Sequence, residues 1–351
     1  MKQMILCLLL LLFLCLPVQA GEEEILAEGL PEEAAEVMEG IVPSEKTDFW
    51  SSAKTVLGKA LGGSQSSLRE GMKLCGTMLA IVLLCGMVQA NAPENMAIAV
   101  VGALGICACL MGSFSAMVDL AKSTVADLTD YSACMMPVMA SALAMSGAPA
   151  SASALYGGTV LFSQLWMQLI SKILVPAVYF YVAMATAEAA VGSDMLSELR
   201  EFIAWLITKC LRIVLYIFTA YMSLTGVISG SADALTVKAT KAAISGMIPV
   251  VGGIVSDASE SLLAGAAVLK NTAGIFGMLA ILAIVLLPFL RVGIQYLMMK
   301  LTAALSAAVG CKPHVQLLKN LSGAMGMLLG MCGACGLMML VSCICFLKVV
   351  I

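Results

Sequence analysis

Ionisable side chains and helix-breaking residues occur together in one apolar stretch of the sequence, residues 248–274. Proline has no backbone N–H to donate and glycine loosens the backbone, so both interrupt a helix. At the depth of a bilayer, irregular backbone persists only where protein or a water-filled cavity satisfies its polar groups. Carboxylates and an ammonium group in such surroundings are candidates for binding an ion or a polar substrate. The residues of this candidate site are Pro249, Gly252, Gly253, Asp257, Glu260 and Lys270.

The other reactive residue types form no catalytic or metal-binding constellation in the sequence. There are 13 cysteines but a single histidine, His314. Cys332 and Cys335 have the spacing of a redox or zinc pair, yet they lie in the middle of an apolar run and no second pair accompanies them. We interpret the cysteines as small residues that pack helices together. With no phosphate-binding glycine loop either, we predict that the protein is not an enzyme and uses no cofactor or metal.

The composition is that of a polytopic membrane protein. Membrane-spanning elements must therefore position the residues of the candidate site. Hydrophobic residues make up 61% of the chain, charged residues 12%, and the mean hydropathy is +1.01. The fold class expected is all-α, because helices satisfy every backbone hydrogen bond within lipid. The acids are concentrated early in the chain and none follows Glu260, which we interpret as a topology signal rather than a nucleic-acid footprint. Six spans are predicted at residues 74–90, 96–118, 155–186, 203–228, 273–299 and 321–347.

Two further apolar stretches, residues 131–150 and 246–270, are interrupted by Pro137 and Pro249. The sequence leaves open whether each re-enters the membrane from one side or crosses it. Both follow a span and a short helix of mixed polarity, and both precede a span that contains proline. This shared order predicts an internal repeat, and broken segments at matching positions of two halves mark the functional centre of many transporters. The predicted repeats are residues 96–186 and 203–299, with a final span at 321–347.

The N-terminus has the pattern of a secretory signal peptide, residues 1–20. Lys2 precedes an apolar run and a small-residue cleavage site between Ala20 and Gly21. An uncleaved anchor helix is the alternative. Residues 21–73 then form an acidic extracytoplasmic arm with a short amphipathic helix, which either lies on the membrane surface or docks on the rest of the protein.

This orientation agrees with the positive-inside rule, because six crossings place the basic loop at residues 300–319 in the cytoplasm. Lys238 and Lys241 fall on the opposite side, against the rule. The final span has small residues at intervals that allow neighbouring helices to approach closely. These are Gly323, Gly326, Gly330, Gly333 and Gly336.

The run VKATKAAISGMIPVVGGIVSD at residues 237–257, continued by Leu269-Lys270-Asn271, resembles the signature stretch of the stage III sporulation protein AE family. The signal peptide, the acidic arm and the multispan remainder are similar to that family as well. The resemblance implies a multi-pass subunit of the channel between mother cell and forespore, a secretion-like complex in the mother-cell membrane. It also implies partners, namely other stage III membrane and ring-forming proteins and a cytoplasmic ATPase. It supplies no catalytic residues.

Two functional hypotheses follow. In the first, the protein is a structural subunit of that channel, whose broken segments are candidates for lining the pore. In the second, it is a self-sufficient secondary transporter, with Asp257 and Glu260 binding a coupling ion or substrate.

Overall fold

Long apolar segments of this chain form helices, since each residue's backbone polar groups can then pair within the segment. A computed structural model describes residues 26–40, 49–91, 96–247, 252–308 and 312–348, and between residues 226 and 270 it describes the course of the backbone. Within those ranges there is no β-strand, so the predicted all-α class is confirmed. The helices are α1 (Glu32–Met38), α2 (Phe49–Gly63), α3 (Gln65–Asn91), α4 (Met96–Met145), α5 (Pro149–Leu169), a π-helical turn (Ile170–Leu174), α6 (Val175–Val191), α7 (Asp194–Met247), α8 (Gly252–Ser306) and α9 (Lys312–Lys348).

All six predicted spans are confirmed as helices that are long and apolar enough to cross a membrane. They coincide with the apolar parts of α3, α4, the continuous α5–α6 rod, α7, α8 and α9. By length and composition the six segments are Gln65–Gln89, Ala97–Met145, Pro149–Val191, Asp194–Thr225, Asn271–Ser306 and Lys312–Lys348.

Three of these helices are much longer than a bilayer is thick. Helices α4, α7 and α8 have 50, 54 and 55 residues. At about 1.5 Å per residue they are roughly 75–83 Å long, against a hydrocarbon core of about 30 Å. The two short mixed-polarity helices expected from the sequence are therefore not separate elements. They are the continuation of the spans in α4 and α7.

The break predicted at Pro137 is misplaced. Helix α4 continues through Pro137 to Met145, and the chain turns at residues 146–148, where Gly147 has φ +96°. A proline in a helix interior costs about 3 kcal/mol, which the packing of a 50-residue helix against five neighbouring helices outweighs. The positive φ of the turn suits glycine, which has no Cβ to clash. The re-entrant path of this segment stays a prediction.

Helix α9 lies at the centre of the bundle and contacts α4, α6, α7 and α8. Its glycines face large side chains of those helices. A Cβ added at Gly336 would lie 2.9 Å from Val285, and one at Gly326 would lie 3.2 Å from Tyr296. A buried hydrogen bond of 3.0 Å between Thr159 and Ser342 joins α5 to α9. Small residues thus set the close approach of α9 to its neighbours.

The acidic arm is partly folded onto the bundle. The buried face of α1 consists of Ala34, Val37 and Met38, and α1 contacts α2 and α8. The Lys59 ammonium on α2 donates to the carbonyl of Glu39, at 2.8 Å, and so satisfies the C-terminal end of α1. Helix α2 buries Val56 and contacts α8 as well. Of the two alternatives for the amphipathic helix, the structure favours docking on the protein.

Candidate functional site

The residues singled out by the sequence lie at the junction of α7 and α8. Pro249 lies outside the described residues. Gly252 and Gly253 are the first two residues of α8, and the helical backbone continues through Asp257, Glu260 and Lys270. Asp257 and Glu260 are three residues apart, and Lys270 follows Glu260 at about 15 Å along the axis. The structure thus places the candidate residues from Gly252 to Lys270 in one continuous helix. Pro137 lies in a different helix, α4.

A different surface has the properties expected of a membrane-depth functional site. Between residues 112 and 144, every exposed position of α4 is a small or acidic residue. These positions recur at intervals of three, four or, once, seven residues over about 44 Å, so they share one face of the helix. We call this surface the α4 polar face. It consists of Gly112, Ala116, Asp119, Ser123, Asp130, Ala133, Pro137 and Ser141.

Contacts with α8 and α9 show how deep the α4 polar face lies in the bundle. Near one end of α4, the imidazole of His314 on α9 fills the space beside Gly102. Further along, Met135 packs against Gly277 of α8, which is also next to Cys343 of α9. Between these two levels α4 runs beside the apolar middle of α9. The acids of the α4 polar face are therefore level with the candidate spans of α8 and α9 and not beyond their ends.

The other sides of the bundle expose large apolar side chains at comparable positions. Examples are Leu84 and Val88 on α3, Leu161 on α5, and Trp205 and Leu224 on α7. Such side chains are suited to contact with acyl chains, whereas an exposed aspartate at that depth is costly in lipid. The α4 polar face therefore contacts water or another protein.

The acidic helix α1 lies on this same side. Its Glu33 forms a salt bridge of 3.1 Å with Arg291, which lies well inside the span of α8. Glu32 and Glu36 are exposed on α1. Carboxylates at the depth of the α8 span require water. Helix α1 therefore adds its carboxylates to the side of the bundle that carries the α4 polar face.

A second group of polar side chains lies where α6 ends and where α7 and α9 begin. It was not predicted from the sequence. The Arg200 guanidinium donates to Glu188 at 2.6 Å, and the two side chains are only 7% and 16% exposed. The Asn320 amide donates to the same carboxylate at 3.4 Å and accepts from Gln316 at 3.2 Å. Arg200 also lies over the ring of Tyr181, 5.9 Å from its centroid. This network joins α6, α7 and α9.

The Glu188–Arg200 network borders a cavity of about 570 Å³ at the ends of α6, α7 and α9, with Lys312 and Lys319 among its lining residues. Residues Glu188 and Arg200 lie on either side of the α6–α7 turn, where Gly192 has φ +72°. A carboxylate and an arginine flanking a glycine turn between two spans is the signal that could have identified the pair. Sequence alone does not say that they face each other.

Comparisons with known proteins agree on one family. A family model described as Stage III sporulation protein AE matches residues 35–349. A protein of Bacillus subtilis (strain 168) named Stage III sporulation protein AE is 23% identical over 256 residues, which is 71% of this chain and 64% of that protein. The match therefore spans less than two thirds of the relative's length. No solved structure matches this chain.

Proposed function

We propose, from the fact that this chain belongs to the stage III sporulation protein AE family, that it is a membrane subunit of the channel complex between mother cell and forespore. The chain is a sporulation membrane protein, and the part of it that the structure describes has six helices able to cross a bilayer. Within the proposed complex, the α4 polar face borders the aqueous path. The observation that carries this proposal is the absence of any large apolar side chain among the exposed positions of α4 between residues 112 and 144.

The reasoning from the α4 polar face to a channel is geometric. A helix that exposes Asp119 and Asp130 level with neighbouring spans needs water or protein against that face. One copy of a bundle that borders water along the α4 polar face cannot enclose a passage. Several subunits arranged with their α4 polar faces inward can, and the large apolar side chains exposed on other helices then meet lipid. Rings of carboxylates along such a path favour the passage of cations or of positively charged segments.

The partners proposed are other stage III membrane and ring-forming proteins and a cytoplasmic ATPase. The location proposed is the mother-cell membrane around the forespore, with the mature N-terminus extracytoplasmic. The docked helices α1 and α2 give the arm a fixed position on the bundle and leave its glutamates exposed for a partner. Energy for transport, if it is consumed, comes from the ATPase.

Cysteine accessibility in sporulating cells tests the aqueous path. In a background with the native cysteines replaced, Ser123→Cys and Ala133→Cys on the α4 polar face should react with a membrane-impermeant maleimide once the complex is assembled. Leu161→Cys and Leu165→Cys, on the apolar side of α5, are the matched controls and should stay unreactive. Equal reactivity of the two pairs, or none at Ser123 and Ala133, would remove the basis of the proposal.

The transporter hypothesis based on Asp257 and Glu260 makes a separate prediction, since their side chains lie outside the described part of the structure. Purified protein in sealed vesicles should then move a solute down an ion gradient without partners. Inert vesicles, together with co-purification of neighbouring stage III proteins, favour the channel subunit.

A further inference from the structure

We propose that helix α2 binds the phospholipids that surround the bundle, through an exposed strip on the side that does not dock on α8. This strip, which we call the α2 lipid face, consists of Trp50, Lys54, Leu57 and Leu61. Docking on the protein and contact with the membrane are then two properties of the same helix. The inference concerns this chain alone and does not depend on a role in a channel.

Helix α2 has two apolar strips, and the bundle covers one of them. The covered strip is Phe49, Ala53, Val56 and Ala60. Each member of the α2 lipid face follows a member of the covered strip by one residue, so the two strips are about 100° apart around the helix axis. Trp50 is 72% exposed, Leu57 43% and Leu61 50%. Docking on α8 therefore leaves the second apolar strip uncovered.

Contacts of the adjoining residues place the α2 lipid face at the depth of the membrane. Helix α3 and its candidate span both begin at Gln65, four residues after Leu61. A Cβ added at Gly63 would lie 3.4 Å from Leu287, which is well inside the candidate span of α8. The C-terminal end of α2 is thus level with two segments that can cross a bilayer.

Exposed apolar side chains continue from α2 into α3. Leu68 and Met72, in the first turns of α3, are 41% and 54% exposed. They belong to a candidate span that the bundle leaves mostly uncovered. Lipid that covers this span reaches the α2 lipid face directly, because only Gly62, Gly63 and Ser64 separate Leu61 from α3.

The residue types of the α2 lipid face are those of a membrane–water boundary. Tryptophan is enriched at that boundary. A lysine there can lay its methylene groups on apolar surface while its ammonium group reaches the lipid phosphates. Helix α2 has two lysines and no acid, and Lys59 is directed to α1, where it donates to the Glu39 carbonyl. Lys54 is therefore the charge that α2 offers to lipid headgroups.

A third strip of α2 limits the lipid face on its other side. It follows the α2 lipid face by one further residue and consists of Ser51, Thr55, Gly58 and Gly62. All four positions are exposed and none has a large apolar side chain. The helix thus changes from docked to apolar and exposed, and then to polar, in steps of about 100°.

Accessibility of nitroxide labels in bilayers tests the α2 lipid face. In the full-length protein with its native cysteines replaced, Leu57→Cys and Leu61→Cys are spin-labelled and placed in vesicles of phosphatidylethanolamine and phosphatidylglycerol. We expect both labels to collide with oxygen, which concentrates among acyl chains, and to be shielded from a water-soluble nickel chelate. Thr55→Cys, on the third strip, is the matched control. The ratio of oxygen to nickel accessibility should be at least about fivefold higher at Leu57 and Leu61 than at Thr55, because only the lipid face enters the acyl boundary.

Fluorescence of Trp50 is a second measurement that leaves α2 unaltered. The chain has three tryptophans, so Trp166→Phe with Trp205→Phe leaves Trp50 as the only emitter. Brominated phospholipids should quench this emission. The control variant retains the buried Trp166 alone, through Trp50→Phe with Trp205→Phe, and should be quenched less.

Three results would overturn the proposal. Equal nickel accessibility at Leu57, Leu61 and Thr55 would place the α2 lipid face in water. Labels shielded from both reagents would show that protein covers it, and spin–spin broadening that disappears on dilution with unlabelled protein would identify that protein as a second copy of this chain. Quenching of Trp50 no stronger than that of Trp166 would likewise exclude contact with lipid.

Discussion

At the scale of single residues, the Glu188–Arg200 pair shows how a charge is kept inside a membrane bundle. The guanidinium is held by Glu188 and Ser197 and lies against Tyr181. A buried ion pair is tolerated only when its remaining polar atoms are also satisfied, and removing one partner leaves an uncompensated charge. The pair thereby fixes how α6 and α7 meet across their short turn.

Removing the carboxylate of this pair should be strongly destabilising. We expect Glu188→Ala to lower the free energy of unfolding by about 3–5 kcal/mol, because Arg200 then stays buried without its partner. Denaturant unfolding in detergent micelles measures the change. Glu198→Ala, which removes an exposed acid of α7, serves as the control and should change stability by less than about 0.5 kcal/mol. Equal stability of the two variants would contradict a structural role for the pair.

Two glycines of α9 should respond in opposite ways to the same substitution. A Cβ at Gly336 would lie 2.9 and 3.1 Å from the two γ-carbons of Val285, whereas at Gly330 the nearest atom, on Leu211, is 3.7 Å away. We expect Gly336→Ala to destabilise the bundle by about 1–2 kcal/mol through overpacking. Gly330→Ala should be neutral or stabilising by up to about 1 kcal/mol, because alanine favours the helix.

Thermal unfolding of both variants, compared with the unaltered protein in the same detergent, checks this prediction. Destabilisation of similar size in both would mean that the separation between α9 and α8 is not set at Gly336.

At the scale of secondary-structure elements, α4 is the helix whose two faces differ most. Its buried face includes Phe114, Leu128 and Met135, while its exposed face lacks large apolar side chains over about 44 Å. A helix that is apolar on one side and small and acidic on the other is suited to stand between a protein core and water.

Bulk added to the α4 polar face should therefore impair function without preventing insertion. We expect Ala116→Leu and Ala133→Leu to reduce the yield of heat-resistant spores at least about tenfold in a spore-forming host whose own copy is replaced, since large side chains obstruct an aqueous path or a tight interface. Leu165→Ala on the apolar side of α5 should leave spore yield unchanged. Immunoblots of the membrane fraction confirm that each variant is present. Normal sporulation with both leucines would argue against a functional role for this face.

The junction of α7 and α8 carries a second prediction at this scale. Helix α8 begins with Gly252 and Gly253, next to Pro249. Replacing both glycines by leucine stiffens the backbone at the start of α8, so sporulation should be lost while the protein still inserts. Replacing the single Gly58 of α2, where a Cβ meets no other atom, by alanine is the control. A double variant that sporulates normally would show that this junction tolerates a stiffer backbone.

At the scale of the whole molecule, six crossings and a signal peptide predict that both ends of the mature chain are extracytoplasmic. The turns at residues 146–148 and 192–193 then lie on opposite sides of the membrane. In a background with the native cysteines replaced, Ser146→Cys should react with an impermeant maleimide in intact protoplasts, and Ser193→Cys only after permeabilisation. The reverse labelling would invert the topology and place the docked arm in the cytoplasm.

The distribution of polar groups over the whole bundle explains how one subunit can be embedded in the membrane and also contact water. Large apolar side chains are exposed on α3, α5 and α7, and the carboxylates of α1 and α4 gather on one side. This asymmetry is a property of the assembled bundle, because α1 and α4 are far apart in sequence and come together only when the bundle folds.

Hydropathy and local residue patterns were enough to predict the all-α class, the position of the six spans and the family. Hydropathy is a sum over neighbouring residues, so a span of about 20 residues can be recognised without knowing what packs beside it. The break predicted near Pro137 was misplaced. Local propensity favours a break at proline, but the packing of α4 against its neighbours keeps the helix continuous.

Which face of each helix is covered depends on how the helices pack together. Each helix is rotated and shifted along its axis by a particular amount. That arrangement pairs Glu188 with Arg200, brings Glu33 to Arg291 and forms the small cavity beside Asp127. A rotation of about 100° per residue means that a small change in register replaces every side chain on a given face. That register is set by the packing of all the helices together, and no short stretch of sequence contains it.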